Sequence, residues 1–238
     1  MSKVCGLFVT GTDTGVGKTI VTAALTAALR AEGLNAGVWK PVQSGALLGN
    51  GVTDAERLLK ITGIDERPEA VAPFTFQEPL TPMLAAKHAG VTLTLKEIIA
   101  AGGPLIKRYE ALLIEGAGGV AVPLTEDSLV IDLISELRIP ALIVARSGLG
   151  TINHTLLTVS FLRQRGIPIV GVILNDGEFA EPHDDPSITE NAKLIERYGG
   201  LKVLGRFPRL HGEANTETLI HIVRETIQLT PVRQVFLI

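Results

Sequence analysis

The chain has 238 residues, of which 46% are hydrophobic and 20% charged, and its formal net charge is −3. This length and composition are typical of a soluble globular protein. The small negative charge gives no electrostatic reason to expect nucleic acid or an anionic membrane as a partner. Cys5 is the only cysteine, which excludes an intrachain disulfide and favours a reducing, cytoplasmic location. No segment approaches the ~18 apolar residues that a membrane-spanning helix needs, so we expect no membrane span.

Short aliphatic runs alternate with helical patterns along the first half of the chain. The aliphatic runs predict two strands, Val4–Val9 and Ala36–Lys40. The helical periodicity predicts four helices, at Lys18–Ala31, Asp54–Thr62, Pro82–Ala89 and Thr94–Tyr109. The proline-punctuated segment Pro68–Pro82 is expected to be irregular.

The second half repeats the alternation more regularly. Four further strands are predicted, at Ala111–Glu115, Ala141–Ala145, Ile169–Leu174 and Val203–Phe207. Three helices are predicted between them, at Ile131–Leu137, Ile152–Arg165 and Thr189–Tyr198. Connections of this length between strands predict parallel pairing with right-handed crossovers. The fold class is therefore α/β, a doubly wound and mostly parallel sheet with helices on both faces, formed by one domain over residues 1–238.

Two segments carry no usable motif. The acidic segment Gly177–Pro186 is interpreted as a solvated loop, because the spacing of its histidine and aspartates fits no strong metal-ligand pattern. The C-terminal segment Gly212–Ile238 is expected to contribute a covering helix with an apolar tail.

The strongest functional signal is the glycine-rich segment Gly11–Thr19 (GTDTGVGKT), which directly follows the first strand and opens a helix. Glycines allow successive backbone N–H groups to face phosphate oxygens, and the helix N-terminus favours their negative charge. The side chain of Lys18 can reach the β- and γ-phosphates, and the hydroxyl of Thr19 can bind Mg²⁺. The loop is one residue longer than the strict phosphate-binding pattern, because Thr12 stands where that pattern has glycine. The strand–loop–helix context still predicts a P-loop nucleotide site.

Polar residues follow three other predicted strands. Lys40 stands at the end of the second strand, at the edge where ligands bind to parallel sheets, although such a lysine can also be a plain surface residue. Glu115 ends the strand after that and is placed like the carboxylate that holds Mg²⁺ in P-loop proteins. Asp54 is either a second Mg²⁺ carboxylate or only a favourable charge at a helix N-terminus. Asn175 can bind a purine edge through its amide, or can simply form a turn.

A second candidate anion site is the predicted helix start that includes Thr151, Ile152 and Asn153, which follows a Gly-Leu-Gly turn ending at Gly150. Free backbone N–H groups at this position suit a carboxylate. His154 lies just inside this helix, where a structural or solvent-facing imidazole is the more common role.

Five strings in this order, GTDTGVGKT, KPVQSG, EGAGG, GLGTINHT and LND, resemble the dethiobiotin synthetase family from the first strand to about Pro208. The elongated loop is the form that this family has. The resemblance implies a homodimeric ligase that uses Mg²⁺ and ATP to convert 7,8-diaminononanoate and CO₂ to dethiobiotin, ADP and phosphate in biotin biosynthesis. A carbamate and a carbamic-phosphoric anhydride would be the intermediates.

The resemblance also assigns roles to individual residues. Lys18 and Lys40 would be catalytic, neutralising charge between the carbamate and the triphosphate. The implied nucleotide contacts are Thr14, Gly15, Val16, Gly17, Lys18, Thr19, Asn175 and Pro208. The implied Mg²⁺ ligands are Thr19, Asp54 and Glu115. The implied substrate contacts are Thr14, Lys40, Ser44, Gly118, Gly150, Thr151, Ile152 and Asn153, the last four supplied across the dimer interface.

Gly15 replaces a bulkier or acidic residue of some family members, which leaves nucleotide strictness open. Two other P-loop classes compete with this assignment. Partition and cell-division ATPases carry an extra lysine in the loop, at the position where this chain has Asp13. Other amidoligases of the superfamily usually carry a glutaminase domain with a cysteine nucleophile, and this chain is too short to include one.

Overall fold

A computed structural model describes residues 4–177, 187–210, 212 and 215–237. Its centre is a six-stranded parallel sheet with the strand order β2-β5-β1-β6-β7-β8. These strands are β1 (Gly6–Gly11), β2 (Ala36–Trp39), β5 (Ala111–Gly119), β6 (Ala141–Arg146), β7 (Ile169–Asn175) and β8 (Val203–Phe207). A separate parallel pair is formed by β3 (Val42–Ser44) and β4 (Phe74–Phe76). The predicted fold class is confirmed.

At least one helix connects each two successive strands of the six-stranded sheet. The helices are α1 (Lys18–Ala31), α2 (Asp54–Thr62), α3 (Pro68–Val71), α4 (Pro82–His88), α5 (Leu95–Arg108), α6 (Val130–Leu137), α7 (Thr151–Gln164), α8 (Ile188–Gly199), α9 (Thr216–Thr226) and α10 (Thr230–Gln234). Apolar side chains are buried on both faces of the sheet: Phe8 and Ile114 belong to one core cluster, and Leu7 and Leu113 to the other. A sheet covered on both faces explains why its strands are continuous aliphatic runs.

Strand register brings the candidate site residues to one edge of the sheet. Val9 of β1 lies opposite Glu115 of β5, and on the other side Gly11 lies opposite Val144 of β6. Asn175 ends β7, two strands away from β1. Because all these strands are parallel, their carboxyl ends open on a common crevice, the usual position of ligands in such sheets.

Some predicted boundaries are wrong. The first strand is Gly6–Gly11 rather than Val4–Val9, and the segment Pro68–Pro82 contains α3 and β4 instead of being irregular throughout. Each strand of the β3–β4 pair has only three residues, too few for a periodic pattern to be recognised. Glu115 lies inside β5, because the strand continues through the glycines to Gly119.

The C-terminal covering helix is confirmed as α9, which buries Leu219 and Val223 completely. It packs closely against β8, where a Cβ atom at Gly205 would lie 2.0 Å from the carbonyl oxygen of Thr226. The acidic segment Gly177–Pro186 lies outside the described residues except for Gly177. Within the described residues, no helix has both the length and the hydropathy needed to cross a membrane.

Candidate active site

A cleft of about 1140 Å³ opens at the carboxyl edge of the sheet. Its walls are formed by the loop between β1 and α1, by residues after β2 and β3, by the carboxyl part of β5, and by residues that follow β7 and β8. This is the location that the strand-end residues predicted.

Backbone geometry and one long-range contact shape the glycine-rich loop. Gly17 precedes α1 with φ of 90°, a left-handed conformation that glycine adopts without steric cost. The Asn175 Nδ2 atom donates a hydrogen bond to the carbonyl of Val16 at 2.9 Å. A Cβ atom at Gly17 would lie 2.0 Å from that same Nδ2 atom. The amide of Asn175 is therefore in direct contact with the loop, and only glycine fits beneath it.

Lys18 is folded back onto its own loop. Its Nζ atom donates a hydrogen bond to the carbonyl oxygen of Asp13 at 3.0 Å, and its side chain lines the cleft. Burial, together with the nearby ammonium group of Lys40, lowers the pKa of Lys18 to about 8. Lys18 lies at the N-terminus of α1, and a bound anion would favour its protonated form. This lysine is therefore well suited to bind a polyphosphate.

Four side chains form a compact polar cluster beside the loop. The hydroxyl of Thr19 donates to Asp54 Oδ1 at 3.0 Å or to Glu115 Oε1 at 2.9 Å. The Lys40 Nζ atom lies 2.7 Å from Glu115 Oε1 and 2.8 Å from Asp54 Oδ2. The side chains of Lys40 and Glu115 are only 4% and 1% exposed, so this pairing takes place away from bulk water. Lys40 thus points into the cleft and is not a plain surface residue.

The electrostatics of this cluster favour the charged forms of Lys40 and Asp54. Burial alone would lower the pKa of Lys40, but the carboxylates of Glu115 and Asp54 outweigh it and raise the pKa to about 12. Burial would raise the pKa of Asp54, but the Lys40 ammonium and the Thr19 hydroxyl outweigh it and hold this pKa below its usual value. Lys40 and Glu115 thus form a buried ion pair, with the partly exposed Asp54 carboxylate beside it.

The oxygens of this cluster fit a divalent cation. Adjacent ligands of octahedral Mg²⁺ at about 2.0–2.1 Å from the ion lie about 2.8–3.0 Å apart. The Thr19 hydroxyl has these separations from both carboxylates, at 3.0 and 2.9 Å. The second carboxylate oxygen of Glu115 is buried and has no hydrogen-bond partner among the described residues. Two carboxylates and a hydroxyl are also the hard oxygen donors that Mg²⁺ prefers.

Most of the residues suggested by sequence reach this cleft. The predicted residues that line it are Thr14, Gly15, Gly17, Lys18, Thr19, Lys40, Ser44, Asp54, Glu115, Gly118, Asn175 and Pro208. Val16 is buried just behind the lining, where its carbonyl accepts the hydrogen bond from Asn175. The Ser44 hydroxyl donates to the carbonyl of Leu80 at 2.7 Å.

The second candidate anion site does not line the cleft of its own chain. Gly150, Thr151, Ile152 and Asn153 are absent from the cleft walls that the described residues form. Gly150 precedes α7 in a left-handed conformation with φ of 89°, so this site is the predicted helix start.

Sequence reasoning assigned no role to two residues that contact the site or its loop. Gln43, quoted only as part of its motif, is buried, and its Oε1 atom accepts from the backbone N–H of Ala55 at 3.1 Å. This contact fixes the start of α2 and therefore Asp54. Arg146, at the end of β6, pairs with Asp13 of the glycine-rich loop at 2.8 Å. No local pattern marks either residue, because each partner belongs to a distant element.

Comparisons with known proteins agree with this geometry. A family model described as an AAA domain matches residues 5–216. Proteins named ATP-dependent dethiobiotin synthetase from Bacillus cereus (strain G9842) and Bacillus thuringiensis (strain Al Hakam) are each 41% identical over 229 residues, 96% of this chain and 93% of theirs.

The fold is also similar to that of a solved structure. A chain of the MinC:MinD cell division protein complex of Aquifex aeolicus superimposes with a TM-score of 0.56 at 15% identity, covering 96% of this chain and 95% of that one. At this identity the similarity concerns the fold alone.

Proposed function

The chain belongs to the ATP-dependent dethiobiotin synthetase family, and we propose that it closes the ureido ring of dethiobiotin from 7,8-diaminononanoate, CO₂ and ATP. The observation that carries this proposal is the convergence of two lysines, Lys18 and Lys40, with a carboxylate pair in one cleft beside the glycine-rich loop. A site with these charges suits a triphosphate and a second anionic reactant held close together.

In the proposed reaction, one amine of the substrate attacks CO₂ and loses a proton, giving a carbamate. A carbamate oxygen then attacks the γ-phosphorus, and ADP leaves. The second amine attacks the carbonyl carbon of the mixed anhydride and loses a proton, so that the second C–N bond forms and phosphate leaves. The second step brings the carbamate anion up to the triphosphate, so its barrier is lowered by fixed positive charge.

The position of each residue in the cleft suggests which reactant group it would contact. The backbone N–H groups of the glycine-rich loop and the ammonium of Lys18 would bind the β- and γ-phosphates. Lys40, in the cluster with Glu115 and Asp54, would face the carbamate. Ser44 and Gly118 would contact the substrate, and Asn175 and Pro208 the adenine base. These assignments are supported by the presence of all six residues in the lining of one cleft.

We further propose that Thr19, Asp54 and Glu115 hold Mg²⁺ with the nucleotide. When bound, Mg²⁺ would neutralise charge on the β- and γ-phosphates. The spacing of the three ligand side chains supports this role.

The chain is proposed to act as a homodimer. The segment Gly150–Asn153, expected to bind the distal carboxylate of the substrate, lies outside the cleft of its own chain. A second copy that places this helix start over the cleft would complete the site. We propose one nucleotide-binding domain in each copy, over residues 1–238.

Phosphate release from ATP, Mg²⁺ and bicarbonate, measured with and without 7,8-diaminononanoate, tests the ligase function. Release that requires the diamine, with dethiobiotin identified as product, is the expected result. Release that ignores the diamine would instead favour a regulatory ATPase. The relatives do not favour the two competing P-loop classes, because proteins named dethiobiotin synthetase match 96% of this chain.

A further inference from the structure

The buried ammonium of Lys40 occupies the place where a cation is needed. Its contacts at 2.7 Å to Glu115 and 2.8 Å to Asp54 use carboxylates that also accept from the Thr19 hydroxyl. Glu115 is fully buried and the Asp54 side chain is 34% exposed, so without a positive partner this carboxylate pair, and Glu115 above all, would be strongly unfavourable in the folded protein. Without a metal, Lys40 therefore supplies the positive charge beside these carboxylates and offsets one of their two negative charges.

A lysine at this distance from the carboxylates opposes a divalent cation bound to the same oxygens. Like charges a few ångströms apart repel strongly in a site that is shielded from water. Lys18 lies close enough that the two ammonium groups interact, which adds a second positive charge on the same side. A free divalent ion entering this cleft meets the repulsion of both lysines, whereas an ion that arrives with a triphosphate brings negative charge to both of them.

We propose that Lys40 is a positioning residue as well as a reactant-facing one: its ammonium fills the carboxylate site until a nucleotide-bound divalent cation replaces it, and the replacement frees Lys40 to face the substrate. This inference rests on the proposed function only in taking the cleft as a site for a nucleotide with its metal ion. Its consequence is an order of binding, in which the nucleotide and metal enter together and the anionic substrate then finds a released lysine.

The test measures metal binding without nucleotide. Mn²⁺ binding to the wild-type protein and to Lys40→Met is followed by electron paramagnetic resonance, with no ATP present. Because the substitution removes a unit positive charge beside the carboxylates, Mn²⁺ affinity is expected to rise at least about tenfold. Arg57→Met is the matched control, since Arg57 is exposed on the same cleft and its loss changes the net charge by the same amount.

Thermal unfolding supplies a second readout. Lys40→Met is expected to unfold at a lower temperature than the wild type in EDTA and to regain stability as Mg²⁺ is added, because a ligand that binds only the folded state stabilises it. The wild type and Arg57→Met are expected to change little with Mg²⁺ at constant ionic strength. Unchanged Mn²⁺ affinity in a folded Lys40→Met protein would overturn the proposal.

If Lys40→Met does not fold, the wild type still decides the matter. Its crystal structure with Mg²⁺ and a non-hydrolysable ATP analogue is expected to show the Lys40 ammonium withdrawn from Asp54 and Glu115. Both contacts persisting at their present lengths beside a bound metal would refute the inference. Diamine-dependent phosphate release by the wild type tests the ligase function separately, so either proposal can fail without the other.

Discussion

The lowered pKa of Lys18 predicts that nucleotide binding weakens as the pH rises above 8. In the ligand-free protein this pKa is about 8, because the side chain is buried and lies near Lys40. At pH 7 about nine in ten molecules would carry the ammonium, and at pH 9 about one in eleven. If only the charged form binds the triphosphate, the Kd for ATP rises about tenfold between these pH values. The Kd rises rather than falls with pH because the negative phosphates of bound ATP favour the protonated form of Lys18.

Isothermal titration calorimetry measures this effect directly. Above pH 8, ATP binding to the wild type is expected to take up close to one proton, detected by comparing buffers with different ionisation enthalpies. Lys18→Arg is the matched control, because arginine stays protonated throughout this range and its Kd is expected to be flat. A wild-type Kd that stays constant from pH 7 to pH 9 with no proton uptake would refute the reasoning.

Two further predictions concern the residues that shape the site. Gly17→Ala should lower the free energy of unfolding by ~2–3 kcal/mol, because alanine is strained in the left-handed backbone conformation and its Cβ atom would displace the Asn175 amide. Gly33→Ala is the control, because Gly33 has a similar φ of 92° but open space around its Cβ position. Urea unfolding should show a smaller loss of stability for Gly33→Ala than for Gly17→Ala. Equal losses of stability would contradict the role of the Asn175 contact. Gln43→Met leaves the buried N–H of Ala55 without an acceptor and should cost ~1–3 kcal/mol. Hydrogen exchange at the Ala55 amide should accelerate, and retained protection would speak against this anchoring role.

Only part of the candidate site could be predicted from the sequence. The glycine-rich loop could be predicted because its whole chemistry lies within nine consecutive residues, Gly11–Thr19. The choice between the two interpretations of Asp54 could not be made in this way. Its carboxylate is a member of the cluster because it lies beside Lys40 and Thr19, and Thr19 precedes it by 35 residues. The same limit applies to Gln43, whose orienting contact depends on how β3 packs against the start of α2.

The sequence by itself determined the alternation of strands and helices and the phosphate-binding loop, because periodicity, glycine placement and helix starts are local properties of the chain. Only the tertiary structure decided which carboxylates meet Lys40 and that the helix start at Gly150 lies away from its own cleft. It also decided that three-residue strands such as Val42–Ser44 pair at all. Glu115 follows Lys40 by 75 residues, and contacts at such separations are fixed by strand order and packing rather than by any local preference.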